Sequence, residues 1–443
     1  MISRRDFMKI ATSAGITAAS APLWLNATSA HAFSQMTGTY KALIVVTLVG
    51  GNDGNNMIVP LDSATYAEYA ALRSALAIPL GACIPMSSSS GSPTFGFHPS
   101  LQNTASLYNS GNAIAVANVG PLSIPLTKAQ CLATPNLLPQ ALLSHPAGQN
   151  QWESASTVAL PTTGWGGRMA DLLVSQSGSL PPVMDAGLAS IFTVGNSVQG
   201  IAVQSGSSKL VALPSGIESA ILAIAESDSA SQNKLVAQAA QLRVQALNQQ
   251  AVIAQAQASG NPLKTVFSNS AFGAALGAIA SVINGRSVIG ASRQIFYTQQ
   301  GSYDTHANQL GIQASNLSDL DSGIGAMMAA IQEMGLQNDV LICTHSDFNR
   351  TLVGNGTAGT DHAWGNHQLI VGGGIRGGRI IGTIPEPELG GSLDLNGEGT
   401  WVPALSVTQM TAAIGSWMGL SSAQLATVFP DLSNFAQGAI TLT

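Results

Sequence analysis

The sequence predicts an α/β fold in which a doubly wound, mostly parallel sheet carries a helical insertion. The strongest sign is the apolar run Lys41–Val49 (KALIVVTLV), which ends at a glycine pair and is typical of a central parallel strand covered on both faces. A second sign is that shorter β-branched runs alternate with a long helical pattern at roughly residues 307–334, as strands joined by helices do. The shorter runs cover residues 113–119, 294–297, 340–343 and 369–371.

The first 32 residues have the pattern of a twin-arginine export signal. Arg4 and Arg5 precede a weakly apolar segment rich in Ala, Ser and Thr, and Ala30-His31-Ala32 has the form of a cleavage site. We therefore expect cleavage after Ala32, a periplasmic or secreted location, and the twin-arginine translocase as a partner during export. The alternative is an uncleaved membrane anchor, but the apolar run is shorter than the roughly 20 residues that span a bilayer.

The rest of the chain, residues 33–443, is expected to form one domain with a helical insertion at about residues 216–285. Residues 217–258 are rich in Ala, Gln and Leu, and their apolar positions recur at three- and four-residue spacing. This segment either caps a cleft, mediates association, or is a solvated helical hairpin with a structural role.

Composition excludes two classes of partner. The chain has 16 Lys and Arg against 22 Asp and Glu, for a formal charge of −6, and no basic cluster follows the signal. Nucleic acid is therefore not an expected partner. Later apolar runs are short and interrupted by Gly, Ser and Asn, so no stable membrane span is expected. The three cysteines allow at most one disulfide; Cys83 with Cys131 is one option, whereas Cys343 lies in an apolar run.

Histidine and acidic residues that follow the predicted strands indicate a metal site. Four of the seven histidines fall between positions 306 and 367. Side chains two apart in an extended loop point the same way, so Asp304 and His306 can grip one ion. Carboxylate oxygen with imidazole nitrogen suits zinc, manganese or calcium, as one or two divalent ions. The predicted ligands are Asp53, Asp304, His306, Asp347, Asp361 and His362.

Each of these signals has a structural alternative. Asp304 and His306 can form a hydrogen-bonded pair without metal, and Asp53, within a Gly- and Asn-rich segment, can close an Asx turn. Arg350 is a candidate to clamp an oxyanion, or it forms a salt bridge to a ligand carboxylate. Ser144 offers a hydroxyl nucleophile beside His145, although adjacent positions rarely form a catalytic pair.

At these residues the chain resembles the bacterial family of exported proteins known as domain of unknown function 1501. The motifs that carry the resemblance are Leu48-Val49-Gly50-Gly51-Asn52-Asp53-Gly54-Asn55-Asn56, Val59-Pro60, Phe97-His98-Pro99, Ser144-His145, Trp152-Glu153, Gly164-Trp165-Gly166-Gly167-Arg168, Tyr303-Asp304-Thr305-His306-Ala307-Asn308-Gln309, Ser346-Asp347-Phe348-Asn349-Arg350-Thr351 and Gly359-Thr360-Asp361-His362. The resemblance implies an alkaline phosphatase-like fold, shared with sulfatases. Those enzymes use one or two divalent metals to hydrolyse phosphate or sulfate esters.

Carried over residue by residue, the resemblance implies particular roles. Asp53 would be the first metal carboxylate and Ser144 the nucleophile. The later metal ligands would be Asp304, His306, Asp347 and His362.

The expected function is an exported metal-dependent hydrolase of phosphate or sulfate esters, acting on a small-molecule or polymer ester. The alternative is a non-catalytic exported binding or assembly protein on a degenerate hydrolase scaffold, because fold does not fix function. A serine esterase that uses Gly51-Asn52-Asp53 as an oxyanion loop ranks below both. Such lipases have an earlier Gly-Asp-Ser motif, which is missing from the sequence between the signal and Gly51.

Overall fold

The computed structural model describes residues 39–87, 94–203, 215–436 and 440–443. All of these residues fall within one compact unit. The predicted signal peptide, residues 1–32, lies outside the described residues. In the part of the chain that the structure describes, no helix combines the length and the apolar character needed to cross a membrane.

Strands lie along the whole described chain. They are β1 (Lys41–Val49), β2 (Ile58–Pro60), β3 (Ile84–Pro85), β4 (Phe95–Phe97), β5 (Ala113–Gly120), β6 (Val183–Asp185), β7 (Ile201–Ala202), β8 (Arg293–Gly301), β9 (Val340–Ser346), β10 (Asn349–Arg350), β11 (His362–Ala363), β12 (Asn366–Gly372), β13 (Arg379–Ile381) and β14 (Leu405–Ser406).

Helices separate most of these strands. The α-helices are Gly54–Met57, Ser63–Arg73, Gln102–Asn109, Lys128–Ala133, His145–Ser154, Trp165–Leu173, Ser215–Asp228, Lys234–Ser259, Ala271–Asn284, Arg286–Ile289, Gln309–Glu333, Val407–Trp417 and Ser422–Val428. Short 3-10 turns cover Ser74–Leu76, Leu80–Ala82, Pro135–Leu137, Val174–Gln176, Ile191–Thr193 and Pro430–Asn434.

A mostly parallel sheet forms the centre of the fold. Among the described residues, nine strands make up this sheet in the order β13-β5-β12-β9-β1-β8-β6-β7, with β14 beside β5. The strand β1 is central and pairs in parallel with both β8 and β9, while β12 runs antiparallel to β5 and β9. The predicted α/β class, the mostly parallel sheet and the central position of Lys41–Val49 are therefore confirmed.

Both faces of the sheet are buried, which explains the uninterrupted apolar run of β1. Its side chains alternate, so Ile44 and Val46 belong to one hydrophobic cluster and Leu43 and Val45 to another. The first cluster includes residues from the helices Ala271–Asn284 and Gln309–Glu333, and the second includes residues from Trp165–Leu173 and Val407–Trp417.

The region predicted as an insertion is helical in its described part. The helix Lys234–Ser259 buries few side chains, among them Ile253, whereas the helix Ala271–Asn284 buries most of its length in the core. That this region is an insertion into the domain stays a prediction. The cysteines Cys83, Cys131 and Cys343 are buried and free, and the first two lie in different hydrophobic clusters.

Candidate metal centre

The topology of the sheet brings distant loops to one edge. Because β8 and β9 are parallel to β1, with Val49 beside Gly301 and Leu48 beside Ser346, the loops that follow all three strands leave from the same side. The antiparallel β12 begins at that edge, so His362, just before it, arrives there from the opposite chain direction.

The helix His145–Ser154 reaches the same edge through a close approach at Gly148. A Cβ at this position would lie 2.4 Å from the carbonyl oxygen of Asp347, so only glycine lets the helix lie directly on that loop. As a result His145, the first residue of the helix, lies beside the residues that follow β9.

Three imidazoles converge on one carboxylate oxygen, Oδ1 of Asp304. The distances to this atom are 3.1 Å from Nε2 of His306, 3.5 Å from Nε2 of His145 and 3.7 Å from Nε2 of His362. The Nε2 atoms of His306 and His362 are 2.9 Å apart. Ligand atoms of His145, Asp304 and His362 all lie within 4.8 Å of one another, which is the spacing of side chains that share a metal ion.

The other ring nitrogen of each imidazole is bound to an oxygen. Nδ1 of His145 lies 2.8 Å from Asp347, and Nδ1 of His306 lies 2.9 Å from Asp361. Nδ1 of His362 lies 2.7 Å from the carbonyl oxygen of Leu143. A carbonyl oxygen only accepts, so Nδ1 of His362 carries the hydrogen and its Nε2 keeps a lone pair. If His145 and His306 also carry their hydrogen on Nδ1, toward Asp347 and Asp361, the Nε2 lone pairs of all three rings face Asp304. Metal sites whose histidines are oriented by oxygen acceptors have this arrangement.

The cluster's surroundings shift the pKa values of its members. The hydrogen bond with Asp347 raises the pKa of His145 above its usual value, against the effect of burial. Burial lowers the pKa of His362 and favours the neutral ring. For Asp304, burial acts to raise the pKa, but the hydrogen bond and the charge of Arg350 oppose it most strongly, and the pKa is lowered overall. The site therefore holds an ionised carboxylate.

Arg350 fixes this carboxylate. Its side chain is fully buried and its Nη2 lies 2.6 Å from Oδ1 of Asp304. The remaining donors go to main-chain carbonyls: Nη2 also to Gly50, Nε to Gly51 at 2.9 Å and Nη1 to Thr360 at 3.2 Å. Four of the five N–H groups of the guanidinium thus connect Asp304 with the loops around it, which corresponds to the salt-bridge alternative.

Asp347 and Asp361 lie behind the imidazoles. Oδ2 of Asp347 accepts hydrogen bonds from Gln149 Nε2 and the Gly50 amide, both at 3.1 Å, in addition to its contact with His145. Asp361 is exposed and contacts His306. These two predicted ligands are adjacent to the cluster through their contacts with the histidines.

Asp53 lies in a separate buried network. Its carboxylate forms an ion pair with Arg73 and accepts from Gln309 at 2.5 Å, and it caps the helix Gly54–Met57 by accepting from the amide of Asn55 at 3.0 Å. None of its described hydrogen bonds or ion pairs reaches the histidines. Asp53 therefore closes a turn, as in the structural alternative given above, and it also pairs with the buried Arg73.

Ser144 is half-buried at the position before the helix His145–Ser154, and its hydroxyl forms no hydrogen bond with any described residue. His345 and His367 are buried. The Nδ1 of His367 accepts the amide of Asn118, whereas neither ring nitrogen of His345 has a hydrogen-bond partner among the described residues. The clustering of histidines in the sequence therefore mixes site residues with core residues.

Sequence reasoning missed the contact of His145 with the cluster. It treated His145 as a neighbour of Ser144, whereas the imidazole faces Asp304. A usable signal is the proline that follows, because proline is favoured in the first turn and indicates that a helix begins at His145. No sequence pattern shows on which loop that helix packs.

The fold and this cluster define an α/β protein with a candidate centre of three imidazoles and one carboxylate. The chain belongs to the family described as protein of unknown function (DUF1501), whose profile matches residues 40–429. Among curated proteins we find no significant sequence match.

Solved structures with a similar path of the chain include hydrolases and a synthase. The sulfatase PsFucS1 from Pseudoalteromonas sp. shares 11% identity, covers 87% of this chain and 68% of its own, and gives a TM-score of 0.36. The phosphonate monoester hydrolase SpPMH from Silicibacter pomeroyi shares 9%, with 87% and 74% covered and a TM-score of 0.36. The lipoteichoic acid synthase LtaP from Listeria monocytogenes shares 9%, with 89% and 76% covered and a TM-score of 0.35.

Proposed function

We propose that this protein is an exported metal-dependent hydrolase of phosphate or sulfate esters. The observation that carries the proposal is the convergence of three Nε2 atoms on Oδ1 of Asp304 while each Nδ1 is held by an oxygen. When the three rings are neutral and no cation is present, their Nε2 lone pairs and the carboxylate oxygen of Asp304 repel one another. With a cation they form a donor set.

The residues that would hold the ion are His145, Asp304, His306 and His362. Three imidazole nitrogens and one carboxylate oxygen favour zinc or manganese over calcium, which prefers oxygen ligands. Among the described residues one group of ligand atoms, from His145, Asp304 and His362, lies within 4.8 Å of one another, and Nε2 of His306 lies 3.1 Å from Oδ1 of the same Asp304, so we propose one ion. A divalent cation held there supplies Lewis acidity to an ester oxygen and lowers the pKa of water.

The chain's own residues then position the reaction. Arg350 holds Asp304, and Asp347, Asp361 and the Leu143 carbonyl orient the rings. Ser144 precedes His145 and its hydroxyl has no competing hydrogen bond among the described residues, which supports its assignment as the nucleophile, with water as the alternative. The twin-arginine pattern at residues 1–32 supports the proposal that the protein acts after export.

Metal analysis of the purified full chain tests the proposal. The protein is loaded with zinc or manganese alone, the bound metal is measured by plasma mass spectrometry, and hydrolysis of p-nitrophenyl phosphate and p-nitrophenyl sulfate is followed. We expect stoichiometric metal in the wild type and little in Asp304→Asn or His306→Ala. Glu386→Gln, which changes an exposed carboxylate with no described hydrogen bond, serves as the matched control.

An empty wild-type protein would overturn the proposal and favour the non-catalytic binding protein. Metal that persists unchanged in both Asp304→Asn and His306→Ala would show that the ion binds elsewhere. Loss of hydrolysis in Ser144→Ala with metal retained supports the serine nucleophile, whereas unchanged hydrolysis assigns the attack to water.

A further inference from the structure

We infer that the centre selects esters whose reacting group carries one negative charge, such as sulfate monoesters and phosphate diesters, over phosphate monoesters, which carry two. This inference rests on the proposed function, because it names the substrate class of the same site. It follows from the charges that surround the three imidazoles.

The described charges at the centre balance once a divalent ion is present. The negative charges are the carboxylates of Asp304, Asp347 and Asp361, which all contact the histidines. The positive charge on the protein is that of Arg350, on Asp304. Three negative charges are therefore balanced by one guanidinium and one divalent cation, and no positive charge is left over to neutralise a substrate.

Arg350 cannot turn toward a substrate. Its side chain is fully buried, and four of its five N–H groups are used by Asp304 and by the carbonyls of Gly50, Gly51 and Thr360. Releasing it would leave these carbonyl oxygens buried without donors, which costs more than a surface ion pair returns.

No second basic side chain compensates within the described ranges. There, Arg350 is the only Lys or Arg that hydrogen-bonds or pairs with the six residues of the cluster and its acceptors, which are His145, Asp304, His306, Asp347, Asp361 and His362. The buried Arg73 is paired with Asp53. Other side chains that contact these residues are neutral, among them Gln149 and Asn355.

A second negative charge on the substrate therefore lies near the carboxylate of Asp304, and no positive charge remains to neutralise it. Like charges a few ångströms apart in a partly buried site repel by more than thermal energy, so the penalty is larger for the doubly charged ligand. A singly charged tetrahedral group gains the attraction of the cation at a smaller cost.

Binding of two matched anions to the zinc-loaded full chain tests the inference. Benzenesulfonate carries one charge and phenylphosphonate carries two in mildly alkaline buffer, both are tetrahedral, and neither has an ester bond to cleave. Isothermal titration calorimetry then reports binding rather than turnover. We expect benzenesulfonate to bind about tenfold more tightly than phenylphosphonate.

A variant that adds one positive charge beside the cluster provides a second, more direct test of the inference. Gln149 is half-buried with its Nε2 3.1 Å from Asp347, so Gln149→Lys places an ammonium beside the cluster. We expect Gln149→Lys to improve phenylphosphonate binding several-fold relative to benzenesulfonate. Gln149→Met, which has a side chain of similar length and no charge, should leave the ratio of the two affinities unchanged.

Tighter binding of phenylphosphonate to the wild type, or the same ratio in Gln149→Lys and Gln149→Met, would overturn the charge inference while leaving the metal centre intact. A wild type that takes up no zinc would instead overturn the proposed function, and this inference with it. Zinc uptake with a preference for benzenesulfonate supports both.

Discussion

Nδ1 of His145 lies 2.8 Å from Oδ2 of Asp347, although the two residues are 202 positions apart in the chain. The contact joins the first turn of a helix to the loop after β9, and it determines which ring nitrogen of His145 faces Asp304. His306 has the same relationship to Asp361. Asp347 and Asp361, which the sequence predicts as ligands, thus contact the Nδ1 atoms of His145 and His306, and this favours the tautomer with the hydrogen on Nδ1.

Asp347→Asn should weaken zinc binding by about ten- to one hundredfold, because the carboxylate that orients His145 is replaced by an amide. Gln149, the Gly50 amide and His145 all contact the same oxygen, Oδ2, so an amide oxygen in that place can keep these contacts and the variant removes the negative charge behind the imidazole. Competition with a chromophoric chelator measures the affinity.

Asp361→Asn is the matched comparison for this prediction. Asp361 makes the equivalent contact to His306 but is exposed, so water can replace part of its role and the loss of affinity should be smaller. Equal zinc affinity in Asp347→Asn and in the wild type would show that the negative charge of Asp347 does not contribute to metal binding.

Arg350→Lys should reduce stability as well as zinc binding. A lysine supplies one ammonium where the guanidinium serves Asp304 and three carbonyl oxygens, so buried acceptors lose their donors at a cost of about 3 kcal/mol or more in the free energy of unfolding. Urea unfolding of the metal-free protein measures this change. Had Arg350 served as a free oxyanion clamp, the variant would unfold like the wild type and lose only turnover.

Asp53→Asn should destabilise the fold without removing metal. The variant leaves the buried guanidinium of Arg73 without its counter-charge, and breaking a buried pair in this way costs about 3–5 kcal/mol. Urea unfolding together with metal analysis of the folded fraction separates the two outcomes. Loss of metal from a protein of unchanged stability would instead place Asp53 among the ligands, as the family resemblance implies.

The sheet edge where the site lies could be predicted from the sequence because the strands carry a strong signal. Lys41–Val49 is apolar on both faces, which identifies a central parallel strand, and parallel strands place their following loops together. Asp304 and His306 follow β8 and lie at this edge, where the strand pattern places them. The prediction needed no knowledge of side-chain packing.

The partners of each acidic residue could not be predicted in the same way. Arg73 is the last residue of the helix Ser63–Arg73, where a basic residue is ordinarily solvated, and only the packing of that helix buries it against Asp53. The position of His145 depends on a helix that crosses Asp347 at Gly148, a contact between segments far apart in the chain.

The histidines inside strands illustrate a further limit. His345 belongs to β9, a strand with every residue buried. Its position in an apolar run therefore indicates its burial better than its nearness to other histidines indicates a role in the site. Its ring packs against both Trp152 and Trp165, with centroid distances of 5.3 and 5.7 Å. Burial lowers its pKa from 6.5 to about 3.

His345→Leu should therefore flatten the acid sensitivity of the fold. Below pH 6.5 the unfolded chain takes up a proton at His345 that the folded chain refuses until about pH 3, so the free energy of unfolding falls as the pH is lowered through this window. The contribution of one such group is about 1.4 kcal/mol per pH unit. Leucine has no proton to gain, so the variant loses this part of the slope.

Urea unfolding of the metal-free wild type and of His345→Leu at neutral and mildly acidic pH measures the difference. His367, whose pKa burial lowers to about 4, is present in both proteins, so its contribution cancels in the comparison. At neutral pH the variant should be as stable as the wild type or more stable by about 1 kcal/mol, since it removes a buried N–H that has no hydrogen-bond partner among the described residues. The same pH slope in both proteins would contradict the burial of a neutral imidazole against the two tryptophans.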